Sequence, residues 1–121
     1  MTDESQPRPL ALRGVEAGRE KEHPSPHQLI AVIRFLAEDS ANLIFSEHAQ
    51  ERMEERGISD EEVSMVLRLG EISGRIAAGN AEGEWRCKVV AKPRGSRQMG
   101  VVTIMMLEQR LFIATVEWED R

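Results

Sequence analysis

The most constraining feature of this sequence is a pair of short predicted helices, at 47–56 and 60–69, that are separated by only a few residues. Ser46 is a favourable N-cap for the first helix, and Gly57 is a favourable left-handed residue at its end. Ser59 opens a capping box with the glutamate three residues later, which marks the start of the second helix. Because the connection is so short, we predict a helical hairpin around which the other elements must pack.

Within the first of these helices, His48, Arg52 and Arg56 recur every four residues. At about 100° per residue the successive members drift by only about 40°, so they form one row along the helix, which we name the His–Arg row. An imidazole and two guanidiniums at the border of a core are groups that bind a phosphate, a carboxylate or a carbonyl. The alternative interpretation is an ordinary charged helix surface, in which Arg52 pairs with Glu55.

The rest of the chain supplies one more helix and a sheet. Apolar residues recur at helical spacing over 27–38, whereas after Gly70 the pattern changes to that of strands and turns. Strand candidates are found at 42–45, 71–77, 84–92, 101–107 and 111–118. We therefore predict an α+β fold, with N-terminal helices packed on one face of a mostly antiparallel sheet of about four strands.

Domain organisation follows from length and composition. A chain of 121 residues fits one domain, which we place at 27–121. Residues 1–26 are rich in Pro, Glu, Arg and Ser without periodicity, and they are predicted to be a flexible tail. No apolar run approaches the roughly 20 residues needed to cross a bilayer, and no signal peptide is recognisable, so we expect no membrane partner.

Cysteine and histidine usage limits the chemistry. Cys87 is the only cysteine, so no internal disulfide can form, and we expect a cytoplasmic protein. His23 and His27 have metal-ligand spacing but are interrupted by prolines, so no metal site is predicted. The sequence contains no phosphate-binding loop and no dinucleotide fingerprint, so no cofactor is predicted.

The net charge of −5 argues against broad, non-specific nucleic-acid binding. The charge is unevenly distributed, however, because residues 86–97, which we name the basic segment, carry five cations and no acid. A local basic patch on an acidic protein is compatible with RNA contact, and the alternative is the solvated face of a strand. The candidate nucleic-acid-binding residues are Arg86, Lys88, Lys92, Arg94 and Arg97.

Two stretches resemble a known family. The block F-S-E-H-A-Q-E-R-M-E-E-R-G-I-S-D-E-E-V at 45–63 resembles the signature of an uncharacterised bacterial family of small domains, namely [ST]-x-H-A-x-x-R-M-x-x-R-G-I. The later V-V-T-I-M-M-L-E-Q-R-L-F-I-A-T-V-E-W at 101–118 is similar to the closing hairpin of that family. The resemblance covers about residues 42–118 and implies no activity by itself.

The order of helices before sheet also resembles the RelE/ParE-like toxin fold, whose members include ribosome-dependent ribonucleases and inhibitors of DNA gyrase. This resemblance implies a toxin-like domain of a toxin–antitoxin system that acts on RNA or the ribosome, with an antitoxin or another protein as partner. The chain departs from such toxins because it is acidic, has no tyrosine and carries an additional N-terminal helix.

The leading hypothesis is a metal-independent endoribonuclease. His48 would be the acid or base, and Arg52 and Arg56 would bind the charged phosphate, because arginine stays protonated. Arg86, Lys88 or Glu117 on the sheet would complete the site. The alternatives are a non-catalytic protein-binding module and a structural homodimer that uses the apolar face of the helix at 27–38.

Overall fold

The computed structural model describes residues 23–119, so most of the predicted tail lies outside the described residues. The helices in this range are α1 (Pro26–Ala37), a short 3₁₀ helix (Ser40–Asn42), α2 (Glu47–Arg56) and α3 (Asp60–Leu69). The strands are β1 (Leu43–Phe45), β2 (Glu71–Ala78), β3 (Trp85–Ala91), β4 (Met99–Met105) and β5 (Leu111–Trp118). All three predicted α-helices are confirmed, and α2 and α3 have the predicted bounds. None of the helices in the described range is long and apolar enough to span a bilayer.

The strands form one sheet in the order β1-β5-β4-β3-β2. Strands β2 to β5 pair antiparallel, whereas β1 runs parallel to β5 with Leu43 opposite Leu111. The α+β class and the mostly antiparallel pairing are confirmed. The sheet has five strands where about four were predicted, because all five strand candidates pair, including the three-residue β1.

Local capping signals explain why the helices begin where they do. Ser25 caps α1, and Gln28 completes a capping box with it. Ser59 and Glu62 form the same arrangement at α3. Gly57, between α2 and α3, has a φ of 66°, which a residue without a Cβ adopts at little cost.

The core lies between the helices and one face of the sheet. Leu111 and Ile113 of β5 are fully buried in it, whereas Phe112 between them is only half-buried and outside it. Successive residues of a strand point to opposite faces, so Phe112 lies on the face away from the helices. Within residues 23–119 that face carries no helix, and we name it the open face.

Candidate functional site

The N-terminus of helix α2 is joined to β5 by hydrogen bonds of Ser46, and two side chains of the helix pack in the core. The Ser46 hydroxyl accepts a hydrogen bond from the Ala49 N–H and donates one to the Ala114 carbonyl of β5, both at 2.9 Å. Ala49 is fully buried and Met53 nearly so, and both belong to the core. Because α2 packs on that side, the His–Arg row is separated from the open face by the sheet itself.

The members of the His–Arg row lie on the outer side of α2. His48 and Arg56 are exposed and Arg52 is half-buried. Arg52 donates to the Glu55 carboxylate at 2.6 Å, and Arg56 lies 3.7 Å from the same oxygen. These are the contacts of an ordinary helix surface, and neither of the two clefts described below includes a residue of the row. A catalytic role for the row therefore stays a prediction.

Two arginines of the basic segment are occupied by contacts within the fold. Arg94 donates to the carboxylate of Glu62 and, at 2.7 Å, to the Gly57 carbonyl, so it joins the β3–β4 loop to the α2–α3 hairpin. Hydrogen bonding from Arg94 lowers the pKa of Glu62 to about 2. The guanidiniums of Arg94 and Arg97 lie 4.9 Å and 4.3 Å from the centre of the Trp118 ring.

Lys92 is exposed at the start of the same loop. The basic segment is thus not one continuous surface. Its loop half contacts the helical hairpin and Trp118, whereas its strand half, with Arg86 and Lys88, lies on the open face.

A cleft of about 210 Å³ lies on the open face between β2 and β3. Arg75, Arg86 and Lys88 bring three cationic groups to its lining, and Glu117 brings one carboxylate. Arg75 and Arg86 are exposed, and within residues 23–119 neither has an ion-pair partner. The sequence therefore identified Arg86, Lys88 and Glu117 as possible members of a site, and the fold brings them together without His48.

Arg75 was not among the predicted site residues. Its strand is irregular, because Gly74 has a φ of 85° and the β2–β3 register shifts between Ser73 and Ala77. The available signal was that Arg75 directly precedes the buried Ile76, which places the arginine on the opposite face of the strand.

Gly100 on β4 allows the side chains of Lys88 on β3 and Glu119, the residue after β5, to meet across β4. In the register, Gly100 is opposite Glu117, and a Cβ at this position would lie 2.9 Å from the Lys88 Cδ atom. The Lys88 ammonium donates to the Glu119 carboxylate at 2.9 Å. The cleft is lined by side chains of four strands, β2 to β5, and Glu119 after β5 binds one of its cations.

A second depression, of about 600 Å³, lies between the end of α1 and the β4–β5 turn. It is acidic, with Glu38, Asp39 and Glu108 on its rim, and Phe35 in its lining is 49% exposed. We name it the acidic groove. The negative charge of the acidic groove would repel a phosphate group.

No group of three or more His, Cys, Asp or Glu side chains among residues 23–119 is arranged to hold a metal ion. The His23 ring packs within the fold. Its Nε2 atom lies 2.9 Å from the Ile76 carbonyl oxygen, and its centre lies 4.9 Å from the centre of the Trp85 ring. Cys87 also lines the cleft but is 4% exposed, and burial raises the pKa of its thiol to about 12.

A family model described as a domain of unknown function (DUF4258) matches residues 45–116, which is more than half of the chain. No curated protein and no solved structure matches the chain. The match begins at the residue before Ser46 and ends within β5, so it includes the helical hairpin and every residue that lines the cleft except Glu117.

Proposed function

From the premise that this chain belongs to the DUF4258 family, we propose that it is a toxin-like domain that binds RNA in the cleft on the open face. The observation that carries the proposal is the meeting of Arg75, Arg86 and Lys88 with Glu117 in a single cleft. Guanidinium and ammonium groups are the usual protein ligands of a phosphate. The family description names no activity, so the proposal depends on these side chains.

Charge supports a local rather than a general interaction. The protein has a net charge of −5, which repels a polyanion from most of the surface. Arg75 and Arg86 are exposed in the cleft, where a phosphate can reach both. RNA would thus bind at one place and with a marked dependence on salt.

The same groups suit RNA cleavage without a metal. Cleavage requires a base for the 2′-hydroxyl, cations for the charged phosphorane and a proton for the leaving oxygen. Glu117 would accept the proton, the two arginines would bind the phosphorane oxygens, and Lys88 would donate to the leaving oxygen. The helix-before-sheet order, which resembles the RelE/ParE-like toxins, agrees with this assignment as an analogy of fold.

Expression of variants in a bacterium tests the proposal. We expect the wild-type protein to slow growth and shorten mRNA, and Arg86→Ala and Glu117→Gln to abolish both effects. Arg110→Ala, which removes an exposed arginine in the β4–β5 turn, is the matched control and should behave as wild type. Harmless expression with intact mRNA would refute the proposal. Loss of the effect in His48→Ala, with Arg86→Ala fully active, would assign the chemistry to the His–Arg row.

A second candidate function, protein binding, is favoured by the acidic groove. An exposed phenylalanine flanked by carboxylates suits a partner segment that has an apolar residue between lysines or arginines. Phe35→Asp would then abolish binding of the partner and leave RNA binding unchanged.

A further inference from the structure

A row of side chains crosses the open face at right angles to the strands. The register aligns Ile44 with Phe112, Phe112 with Ile104, and Ile104 with Arg86. Neighbouring strands are about 4.8 Å apart, so this transverse row extends for about 15 Å from β1 to β3. Its last member, Arg86, is part of the cleft.

The transverse row changes from apolar to cationic along its length. Ile44 and Phe112 are half-buried, and neither belongs to the core cluster on the helix side. Ile104 is 3% exposed and forms the floor between Phe112 and Arg86. An aromatic ring is therefore separated by two strand spacings, about 10 Å, from a guanidinium that has no ion-pair partner among residues 23–119.

Among the aromatic residues, Phe112 is the one placed to face a ligand here. Trp118 is covered by Arg94 and Arg97, and Trp85 packs against His23. Phe45 packs against the core from the other side of the sheet. A flat apolar group next to a phosphate site is the pairing that an unstacked nucleotide requires, because its base stacks on a ring while its phosphate pairs with cations.

We infer that the RNA taken by the cleft is single-stranded and lies across the strands, with a base stacked on Phe112 and a phosphate at Arg86. This inference rests on the proposed function. In a duplex the bases are stacked on one another and paired, so side chains on the surface of a sheet do not reach their faces. A ligand that is recognised through phosphates alone would use the cleft and leave Phe112 unused.

Three probes of equal length separate these cases: a single-stranded oligouridylate, an abasic ribose-phosphate chain and a blunt RNA duplex. Fluorescence anisotropy of the full-length protein would give each affinity at one fixed salt concentration. We expect the oligouridylate to bind about tenfold more tightly than the abasic chain, which lies within the range of base–aromatic stacking. Phe112→Leu should remove that advantage without changing the affinity for the abasic chain, and Phe112→Tyr should restore it.

The outcomes that overturn the inference differ from those that overturn the proposed function. Equal binding of the oligouridylate and the abasic chain, or tighter binding of the duplex, would refute stacking on Phe112 and leave phosphate binding in place. Failure of all three probes to bind, or binding that Arg86→Ala does not weaken, would refute the proposed function. The comparison of probes uses the wild-type protein, so it does not depend on the stability of the variants.

Discussion

At the scale of single residues, Lys88 of the cleft forms an ion pair with Glu119. The two side chains meet above Gly100, where a Cβ would lie 2.5 Å from a Glu119 carboxylate oxygen. The absence of a side chain at Gly100 therefore permits the pair. The Lys88 ammonium group donates a hydrogen bond of 2.9 Å to the Glu119 carboxylate. We therefore expect Glu119 to compete with a phosphate for this ammonium group.

Glu119→Gln should therefore strengthen RNA binding. The substitution removes a negative charge beside the cleft and releases Lys88, so we expect a rise in affinity of about threefold to tenfold. The plot of log affinity against log salt should also steepen by about 0.7 for one added phosphate contact. Glu108→Gln makes the same charge change at the acidic groove and serves as the control. Unchanged or weaker binding by Glu119→Gln would contradict competition by Glu119.

Cys87 gives a second prediction at this scale. Burial raises the pKa of its thiol to about 12, so the reactive thiolate is scarce in the folded state at pH 8. We expect a disulfide reagent such as DTNB to modify almost none of the native protein within minutes and to modify the protein fully in urea. Rapid labelling of the native protein would show that Cys87 is accessible and would contradict the packing of β3.

At the scale of elements, the α2–α3 hairpin shows which contacts a sequence can predict. The capping bonds of Ser46, Gly57 and Ser59 join groups within four residues of one another, so these caps were predictable from spacing. The bond from the Ser46 hydroxyl to the Ala114 carbonyl is not local and was not predictable. Contact of Arg94 with nucleic acid stays a prediction, whereas its bonds to Glu62 and the Gly57 carbonyl were not predicted. Those partners are more than thirty residues away in the chain, and no local pattern identifies them.

Ser46→Ala should destabilise the protein by about 1–2 kcal/mol, because it removes an N-cap and also the hydrogen bond to the Ala114 carbonyl. Urea unfolding followed by circular dichroism measures the difference. Ser96→Ala, at an exposed position of the β3–β4 loop, is the control and should change stability by less than about 0.5 kcal/mol. Equal stability of the two variants would argue against this anchoring of α2.

The contact between Arg94 and Glu62 predicts a pH dependence. The pKa of Glu62 falls from about 4.5 to about 2 in the folded protein, so its carboxylate contributes stability that is present above about pH 4.5. That contribution is lost as the pH falls towards 2, since the unfolded state then binds the proton more readily. The difference in unfolding free energy between wild type and Glu62→Gln should therefore shrink over this interval. A difference in unfolding free energy that does not change with pH would contradict stabilisation by the ionised form of Glu62.

At the scale of the whole molecule, helices cover one face of the sheet, and the proposed site lies on the other. Helix positions and strand alternation were predictable because they follow from local periodicity, and alternation alone put Arg86 and Lys88 on one face. The cleft was not predictable, because it requires the pairing of β3 with β2 and the closeness of Glu117 across Gly100. The His–Arg row has clear spacing in the sequence, but spacing along a helix does not indicate which side of the sheet the helix covers.

The most direct test of the account is a titration of the ¹⁵N-labelled protein with a single-stranded oligoribonucleotide, followed by amide chemical shifts. We expect shift changes that cluster at Arg75, Arg86, Lys88 and Glu117 and extend along the open face to Phe112. Changes that centre on His48 and Arg52 instead, or no changes at concentrations that saturate an RNA-binding domain, would contradict it.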